Sequence, residues 1–445
     1  MTSNPVIDAL RESLELAPPR APLLVGFSGG LDSHVLLHGL STLCSAAAAG
    51  PLRAVHVHHG LHANADAWQE HCESVCQDLQ VPLTVARVDV RDNAQGPEAA
   101  ARQSRYEAFE AQLARNEILC LAHHENDQAE TFLLQLLRGA GPQGLSAMPV
   151  YTEFAAGGLL RPLLGASRSG ICDYAEQSGL RWVEDASNAD LRYDRNYLRH
   201  EVAPVLRARW PGAMRTIARA ARHQAAIARI ANALGDAASL SAAGDGDTLD
   251  CAALVRLDRD IATLAVRAWL ARGGYSSPTA KLMNRIFDEV IGAGEDANPL
   301  VAWRGVEVRR YRGRLHAMAP LAQADVDAVV PWNPPESLEL PHGRLEASPA
   351  TGAGLDAGRC ARGGVEVRFR SGGERCRPAG QTQSSTLKHW FQQQGIPPWK
   401  RDRVPLIYVD SELAAVAGVW ICAGFESAPG EPGWLLRWRS RPPGS

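Results

Sequence analysis

The residues with the clearest chemistry form a glycine-rich segment, Ser28-Gly29-Gly30-Leu31-Asp32-Ser33. Apolar residues that predict a strand precede it, and a pattern that predicts a helix follows it. Glycines let backbone N–H groups approach an anion closely, and the start of a helix adds partial positive charge. The segment therefore predicts a phosphate site, although it lacks the G-K-[ST] ending of the Walker loop. A tight structural turn is the alternative interpretation.

A second polar group opens a predicted helix near residue 125. His123 and His124 lie four and three residues before Asp127, so the three side chains share a face of the first helical turn. A carboxylate beside an imidazole can orient it or polarise it for proton transfer. The alternative is a helix cap, because Asn126 and Asp127 are both good capping residues.

Two arginines, Arg102 and Arg105, lie about one turn apart on another predicted helix. A solvated helix face explains them adequately from the pattern alone.

Four strand-then-helix units must position these groups. The apolar runs that predict the strands are 23–27, 52–59, 81–90 and 117–124. This alternation predicts an α/β domain with a doubly wound parallel sheet. Such a sheet binds its ligand at the carboxyl ends of the strands, where successive loops converge. The loops concerned follow Phe27, His59, Val90 and Leu121.

The rest of the chain has a different texture. Residues 211–295 are rich in alanine with a helical period, and the proline-rich stretch 331–343 is typical of a linker. Short alternating apolar runs separated by glycine and proline follow it. We therefore predict three domains: an α/β domain over 1–214, a helical domain over 215–328 and a small mixed α+β domain over 340–440.

Charge is distributed unevenly along the chain. The 445 residues carry 46 Lys and Arg against 49 Asp and Glu, a net charge of −3, which excludes a uniformly basic nucleic-acid binder. However, the segment 191–223 has a net charge of +6 and the segment 359–403 a net charge of +7, which leaves −16 for the remainder. Two basic patches on an acidic body suit a protein that binds phosphate backbone at selected places.

Compartment and redox state follow from the N-terminus and the cysteines. The first twenty residues contain acidic residues and prolines where a signal peptide needs a basic start and an apolar core. The apolar runs are too short to span a bilayer. The nine cysteines are scattered and include no C-x-x-C pair, so we expect reduced thiols in the cytoplasm and no membrane association.

Several segments in order resemble the tRNA(Ile)-lysidine synthases, a family of the PP-loop ATP pyrophosphatase superfamily. Besides SGGLDS, they are VHVHHGLHANADAWQEHCESVC, AARQSRYEAF, AHHENDQAETFLLQLLRGAGPQGLSAM, RPLL, WVEDASNADLRYDRNYLRHEVAPVL and the stretch 375–420. The resemblance covers almost the full length and is weakest in the alanine-rich middle.

The resemblance implies roles for the site residues. ATP phosphates would bind at Ser28, Gly29, Gly30, Leu31, Asp32 and Ser33. Asp32 would also hold Mg²⁺, and Arg102 or Arg105 would clamp the α-phosphate. Asp127, with His123 or His124, would take a proton in the second step. The family usually has two aspartates in this helix, and Asn126 replaces the first, which leaves Asp127 as the better ligand candidate.

The resemblance also implies the reaction and the partners. ATP would adenylate the carbonyl oxygen at carbon 2 of the wobble cytidine in the CAU anticodon of tRNA(Ile). The amine of L-lysine would then attack carbon 2 and displace AMP to give lysidine, so that AUA rather than AUG is read. tRNA-binding residues would be Arg192, Arg195, Asn196, Arg199, Arg368, Arg370, Arg375, Arg377, Lys388, Lys400 and Arg401. A homodimer is one option for the assembly.

Two other functions remain open at this point. A PP-loop tRNA thiolase activates a base in the same way but generally relies on paired or persulfide-forming cysteines, and this chain has no C-x-x-C. A non-catalytic ATP-binding RNA protein would keep the phosphate loop. It would have no reason to bring Asp127 and the arginine pair to the same crevice.

Overall fold

The computed structural model describes residues 4–46, 49–60, 64–88, 97–184, 190–244, 247–294, 297–321 and 328–441. The chain divides into two compact units, 1–231 and 232–445, which are described separately. The helices of the α/β part of the first unit are α1 (Pro5–Leu14), α2 (Leu31–Ser45), α3 (Ala65–Asp78), α4 (Pro97–Gln112), α5 (Glu125–Leu137), α6 (Pro142–Leu145) and α7 (Arg168–Gln177). Its strands are β1 (Leu23–Gly26), β2 (Leu52–His58), β3 (Leu83–Arg87), β4 (Ile118–Cys120), β5 (Tyr151–Phe154) and β6 (Gly157–Leu160).

The six strands form one sheet in the order β3-β2-β1-β4-β6-β5. The first five of these are parallel, and β5 is an antiparallel edge strand hairpinned to β6. The chain moves outward from β1 in one direction through β2 and β3 and in the other through β4. The crevice between the ends of β1 and β4 is therefore the switch point at which such sheets bind ligands.

The central strands are buried because helices cover both faces of the sheet. Leu23, Leu24 and Val25 of β1 are at most 1% exposed, which explains a continuous apolar run without polar alternation. One core cluster packs α1, α2 and α7 on one face, and a second packs Phe109 of α4 on the other. The predicted doubly wound parallel sheet is confirmed, while the β5–β6 hairpin was not predicted.

Further helices follow the sheet. They are α8 (Asp194–Tyr197), a π-helical segment (Leu198–Val202), α9 (Ala203–Arg209) and the long α10 (Ala213–Ser241), within which the two units divide. Ala213 and Met214 of α10 form a small core with Ala203 of α9 and Ala129 of α5. The start of α10 is thus packed on the helix that carries Asp127.

The second unit begins with a helical layer on a small sheet. Its elements are β7 (Thr248–Asp250), α11 (Cys251–Arg256), α12 (Arg259–Arg272), α13 (Ala280–Arg285), a π-helical segment (Ile286–Ile291), β8 (Leu300–Trp303), β9 (Val306–Tyr311) and β10 (Arg314–Met318). The strand order is β7-β10-β9-β8, all antiparallel. The alanine-rich period predicts the helices, but it gives no sign of this sheet.

The C-terminal part is mostly antiparallel. Its strands are β11 (Val329–Pro331), β12 (Leu338–Leu340), β13 (Gly343–Thr351), β14 (Leu355–Asp356), β15 (Val365–Arg368), β16 (Arg375–Cys376), β17 (Ser385–Thr386), β18 (Leu406–Val409), β19 (Glu412–Val416), β20 (Trp420–Ile421) and β21 (Pro432–Ser440). Its helices are α14 (Ala357–Arg362), α15 (Leu387–Gln393) and α16 (Pro398–Arg401). The mixed α+β prediction is confirmed.

The proline-rich stretch 331–343 is part of these sheets. β11 pairs with β15 and β12 pairs with β13, so strand residues occur before position 340. The domain boundaries at 214/215 and at 328/340 stay predictions. Within the described ranges, no helix combines the length and apolar character needed to cross a membrane.

Candidate active site

The glycine-rich segment turns sharply between β1 and α2. Gly29 has φ 80°, a left-handed conformation that favours glycine, and an added Cβ would lie 3.0 Å from the Cys72 Sγ. The Ser33 hydroxyl donates to the Gly30 carbonyl at 2.9 Å and accepts from the Ser28 backbone N–H at 3.3 Å. Serine hydroxyls therefore hold the loop shape from within.

The start of α2 is left available for an anion. Gly30 is the N-cap residue and supplies no side-chain hydrogen bond to the first turn. Leu31 begins the helix and is buried, whereas the Asp32 side chain is 33% exposed. Uncapped N–H groups at a helix start suit a phosphate group.

His124 lies between the loop that follows β4 and the phosphate loop that follows β1. As the N-cap of α5, its Nδ1 accepts from the Asn126 N–H at 3.2 Å, while Asp127 Oδ2 accepts from the His124 N–H at 2.9 Å. Its Nε2 lies 3.8 Å from Asp32 Oδ2 and 3.6 Å from Asp127 Oδ2. Because Nδ1 accepts a hydrogen bond, we assign a ring proton to Nε2, which lies near both carboxylates.

The motif therefore does cap α5, and its capping residue His124 also lies close to the phosphate loop. The sequence favours Asn126 and Asp127 as caps, whereas the structure uses His124 and Asp127 in a reciprocal capping box. The same hydrogen bonds fix both side chains against the crevice.

A buried carboxylate–arginine cluster lies one turn along α5. Its members are Asp127, Glu130, Arg195 and Arg199. Arg195 donates to Asp127 Oδ1 at 3.2 Å and to Glu130 Oε2 at 2.9 Å. Arg199 donates to Asp127 Oδ1 at 3.0 Å and to Glu130 Oε1 at 2.8 Å. The side chain of Glu130 is only 4% exposed, so its charge depends on these partners.

The surroundings weaken the nearby proton acceptors. Burial acts to raise the pKa of Asp127, but His124 and Arg195 outweigh it and lower the pKa to about 2. Burial lowers the pKa of His123 to about 3; Asp127 acts in the opposite direction, and Arg161 adds a smaller lowering effect. Asp127 is therefore ionised at neutral pH and binds a proton weakly, and His123 is neutral.

The arginines of α4 face the same region. The Arg102 guanidinium lies 4.9 Å from the centre of the Tyr106 ring and is close enough to His123 to lower its pKa. Arg105 similarly acts on His59, whose pKa burial lowers to about 4. Both arginine side chains are exposed. The pair therefore supplies positive charge near the crevice, as a phosphate clamp needs.

Chain comparisons agree with this geometry. Residues 6–206 match the model of a PP-loop domain, 249–316 that of a TilS substrate binding domain and 365–438 that of a TilS substrate C-terminal domain. The tRNA(Ile)-lysidine synthase of Coxiella burnetii is 42% identical over 92% of this chain and 91% of the relative. Those of Methylococcus capsulatus and Escherichia coli O157:H7 are each 41% identical, over 97% and 94% of this chain and 99% and 96% of the relatives.

The chain belongs to the tRNA(Ile)-lysidine synthase family. The predicted resemblance is confirmed at the level of the family and of its ATP-using PP-loop domain.

The basic residues assigned to tRNA in the first unit are mostly engaged with the chain itself. Arg195 and Arg199 form the cluster described above. Arg192 is 84% exposed and donates through Nε and Nη2 to the Asp190 carboxylate, while the Asn196 amide donates to the Asp190 carbonyl at 3.0 Å. Their roles in tRNA binding stay predictions for this lysidine synthase family member.

The C-terminal candidates separate into three groups. Arg401 is 6% exposed and donates to the Ile396 carbonyl, and its role in tRNA binding stays a prediction. Arg368 and Arg370 are paired, the first with Glu366 at 2.6 Å and the second with Asp402 at 2.9 Å. The exposed candidates are Arg375, Arg377, Lys388 and Lys400.

Three residues of the site were missed by sequence reasoning. Arg168, the first residue of α7, contacts Asp32. Glu130 completes the carboxylate–arginine cluster, and its position three residues after Asp127 was an available signal. Arg161 is buried, donates to the Pro149 carbonyl at 2.8 Å and lies near His123. Arg161 opens the segment RPLL that takes part in the resemblance, whereas nothing in the spacing of the chain links Arg168 to the site.

The residues at the phosphate loop fit a Mg²⁺ ion that has few protein ligands. The described parts of the chain contain no group of three or more His, Cys, Asp or Glu side chains arranged to hold a metal ion. Mg²⁺ in nucleotide sites is commonly held by one or two carboxylates, with phosphate oxygens and water completing the shell. Asp32 beside the phosphate loop meets that requirement.

Proposed function

We propose that this chain catalyses the ATP-dependent ligation of L-lysine to carbon 2 of the wobble cytidine in the CAU anticodon of tRNA(Ile), giving lysidine, AMP and pyrophosphate. The observation that carries the proposal is the convergence of the phosphate loop, Asp32, His124 and the carboxylate–arginine cluster at one switch point, in a chain of this family.

The first step is attack of the cytidine carbonyl oxygen on the α-phosphate of ATP, with pyrophosphate as the leaving group. The loop amides at the start of α2 would bind the pyrophosphate, and Arg102 or Arg105 would stabilise charge on the α-phosphate. Asp32 would hold Mg²⁺, which when bound neutralises phosphate charge. Arg168 already contacts Asp32 and holds that carboxylate at the mouth of the loop.

The second step is attack of a lysine amine on carbon 2, with AMP as the leaving group. The amine must lose a proton, and we assign the acceptor to Asp127 acting with His123 or His124. His124 and Arg195 keep the pKa of Asp127 low. We therefore expect Asp127 to become a more effective acceptor when Arg195 moves away from it.

The state of the cysteines favours lysine over sulfur as the group transferred. Cys72 lies directly behind Gly29, and Cys76 is one turn further along α3. Burial raises the pKa of Cys72 and raises that of Cys76 to about 11. Both thiols stay protonated at neutral pH, whereas sulfur transfer needs a thiolate or a persulfide.

The deciding experiment supplies the full chain with radiolabelled lysine, ATP, Mg²⁺ and an isoleucine tRNA transcript bearing a CAU anticodon. Labelled tRNA formed without any sulfur donor, with one AMP and one pyrophosphate released for each lysine, is the expected result. If AMP and pyrophosphate are not released, neither the lysidine synthase nor the thiolase function holds. We place the chain in the cytoplasm, where these substrates occur together.

A matched pair of variants tests the division of roles. Asp32→Ala is expected to abolish pyrophosphate release while tRNA binding persists, because Asp32 lies at the phosphate loop. Asp173→Ala changes an exposed aspartate of α7 and serves as the control. Loss of tRNA binding in Asp32→Ala alone would contradict the assignment of this residue to ATP.

A further inference from the structure

The start of α10 presents positive charge without compensating carboxylates. Residues 202–235 contain six arginines and no aspartate or glutamate. Four of these arginines lie on α10 itself: Arg215, Arg219, Arg222 and Arg229, which we call the arginine stripe. At 3.6 residues per turn they fall within roughly 80° of arc, and with 1.5 Å rise per residue they extend for about 21 Å.

The arginine stripe is free of the contacts that occupy other arginines of the first unit. All four side chains are exposed. Among the described residues, none of the four makes a hydrogen bond, ion pair or ring contact with the chain. Arg195 and Arg199, by contrast, are each bound to two carboxylates.

The placement of charge does not serve the helix. The first turn of α10 contains no acidic residue. A cation such as Arg215 near a helix N-terminus opposes the helix dipole, so this arrangement costs stability unless an anion is supplied. The four charges also repel one another along one face. An external polyanion would remove both penalties.

The other face of α10 determines what can approach. Ala213, Met214 and Ala218 are at most 9% exposed, and the first two pack on Ala203 of α9 and Ala129 of α5. A helix that binds a lipid surface inserts its apolar face. Here the apolar face is already buried in the protein, so the stripe is the side that remains for a ligand.

The packing also links the arginine stripe to the candidate active site. Ala129 lies between Asp127 and Glu130 on α5 and contacts the core beneath the start of α10. A polyanion bound along the stripe is thus held on the same packed elements as the carboxylate–arginine cluster. The patch counted as +6 over 191–223 is therefore divided between an internal ionic cluster and an outward-facing surface.

We propose that the arginine stripe of α10 binds the phosphodiester backbone of the substrate tRNA and holds it while the anticodon occupies the active site. This inference rests on the proposed function for the identity of the RNA. Four unpaired guanidinium groups along about 21 Å suit successive phosphates, whereas a single small anion would need a compact site.

The test compares two double variants in the full chain. Arg219→Gln/Arg222→Gln removes the centre of the stripe. Arg20→Gln/Arg115→Gln removes two exposed arginines that precede β1 and β4, at the opposite edge of the sheet from the crevice. Binding of the CAU-anticodon tRNA is measured from 50 to 300 mM salt, with thermal unfolding as the check on folding.

The stripe variant is expected to bind roughly tenfold more weakly at low salt. The slope of log affinity against log salt should become shallower by about 1.5, the sum for two phosphate contacts, and the control should retain the wild-type slope. Arg219→Lys/Arg222→Lys keeps the charge and should restore most of the slope. This third variant keeps the test decisive if the glutamine variant folds poorly.

Wild-type affinity and slope in the stripe variant would overturn the proposal. The proposal would also be overturned if the stripe variant bound tRNA like wild type but bound vesicles of phosphatidylglycerol and phosphatidylcholine more weakly than wild type. The stripe would then be a membrane-binding surface. Lysine incorporation by the wild-type chain tests the proposed function separately. If incorporation occurs and the stripe variants behave as wild type, only the inference about α10 fails.

Discussion

Arginines in two regions of this chain look alike in the sequence and differ in the structure. In the carboxylate–arginine cluster, Arg195 and Arg199 have side chains 23% and 34% exposed, and each binds both Asp127 and Glu130. In the C-terminal segment 359–403, Arg375, Arg377 and Lys388 are exposed and make no ion pair within the described residues.

The difference shows that positive charge has two uses in this protein. In the cluster, guanidinium groups neutralise a carboxylate that would otherwise be buried with its full desolvation cost. In the C-terminal segment, the cations remain hydrated and available to a phosphate backbone. The net charge of a segment therefore gives the total charge of a basic patch. It does not say which of the side chains in the patch can contact a ligand.

The largest effect is expected from removing a buried carboxylate. Glu130→Gln leaves two guanidinium groups short of a partner and should lower the free energy of unfolding by about 3 kcal/mol. Glu366→Gln breaks the more exposed pair with Arg368 and should cost less than about 1 kcal/mol. Urea denaturation measures both. Similar losses in the two variants would remove the distinction between the regions.

A smaller effect concerns the acidity of Asp127. His124 and Arg195 together lower the pKa of this carboxyl to about 2, and Arg195→Met removes the second of these, so the pKa should rise. If Asp127 must be ionised for turnover, the acid limb of the kcat/KM profile moves to higher pH by about one unit. Arg209→Met, at an exposed position of α9, should leave the limb in place. An unmoved limb in Arg195→Met would show that Asp127 does not control it.

Acid sensitivity should also differ between the regions. The folded-state pKa of His123, about 3, is below the unfolded value near 6.5, so only the unfolded chain binds a proton between these values. Because of His123, the free energy of unfolding is highest above pH 6.5. It falls by up to about 1.4 kcal/mol for each pH unit below that value. His123→Asn should therefore lose less stability than wild type between pH 6.5 and 5.5, whereas His389→Asn, at an exposed position of α15, should not differ. Equal pH dependence in all three proteins would contradict the burial of His123.

The smallest effect is expected from single exposed cations. Lys388→Gln or Arg377→Gln should weaken tRNA binding by roughly two- to fivefold and reduce the salt slope by about 0.7 to 0.9. Arg401→Gln, in contrast, should lower the thermal unfolding temperature, because the buried guanidinium donates to the Ile396 carbonyl. Filter binding and thermal scans separate the outcomes. A reduced salt slope in a fully stable Arg401→Gln protein would instead support the assignment of that residue to tRNA binding.

Local patterns in the sequence predicted most of the first unit. The apolar runs around Leu23 and Ile118 predicted central strands because strands covered on both faces need no polar alternation. The β5–β6 hairpin was missed because its edge strand, YTEF, has weak alternation and the glycines Gly157 and Gly158 resemble a turn. The sheet β7-β10-β9-β8 was also missed, because the helical period of the alanine-rich region dominates the pattern there.

The sequence by itself determined the order of strand–helix units, the phosphate loop and the family, because these depend on residues that are neighbours along the chain. Only the tertiary structure decided that Arg199 meets Asp127, 72 positions away, and that the arginine stripe of α10 meets no carboxylate among the described residues. Burial and pairing are properties of the packed chain, and they set the charge, the pKa and the availability of each side chain.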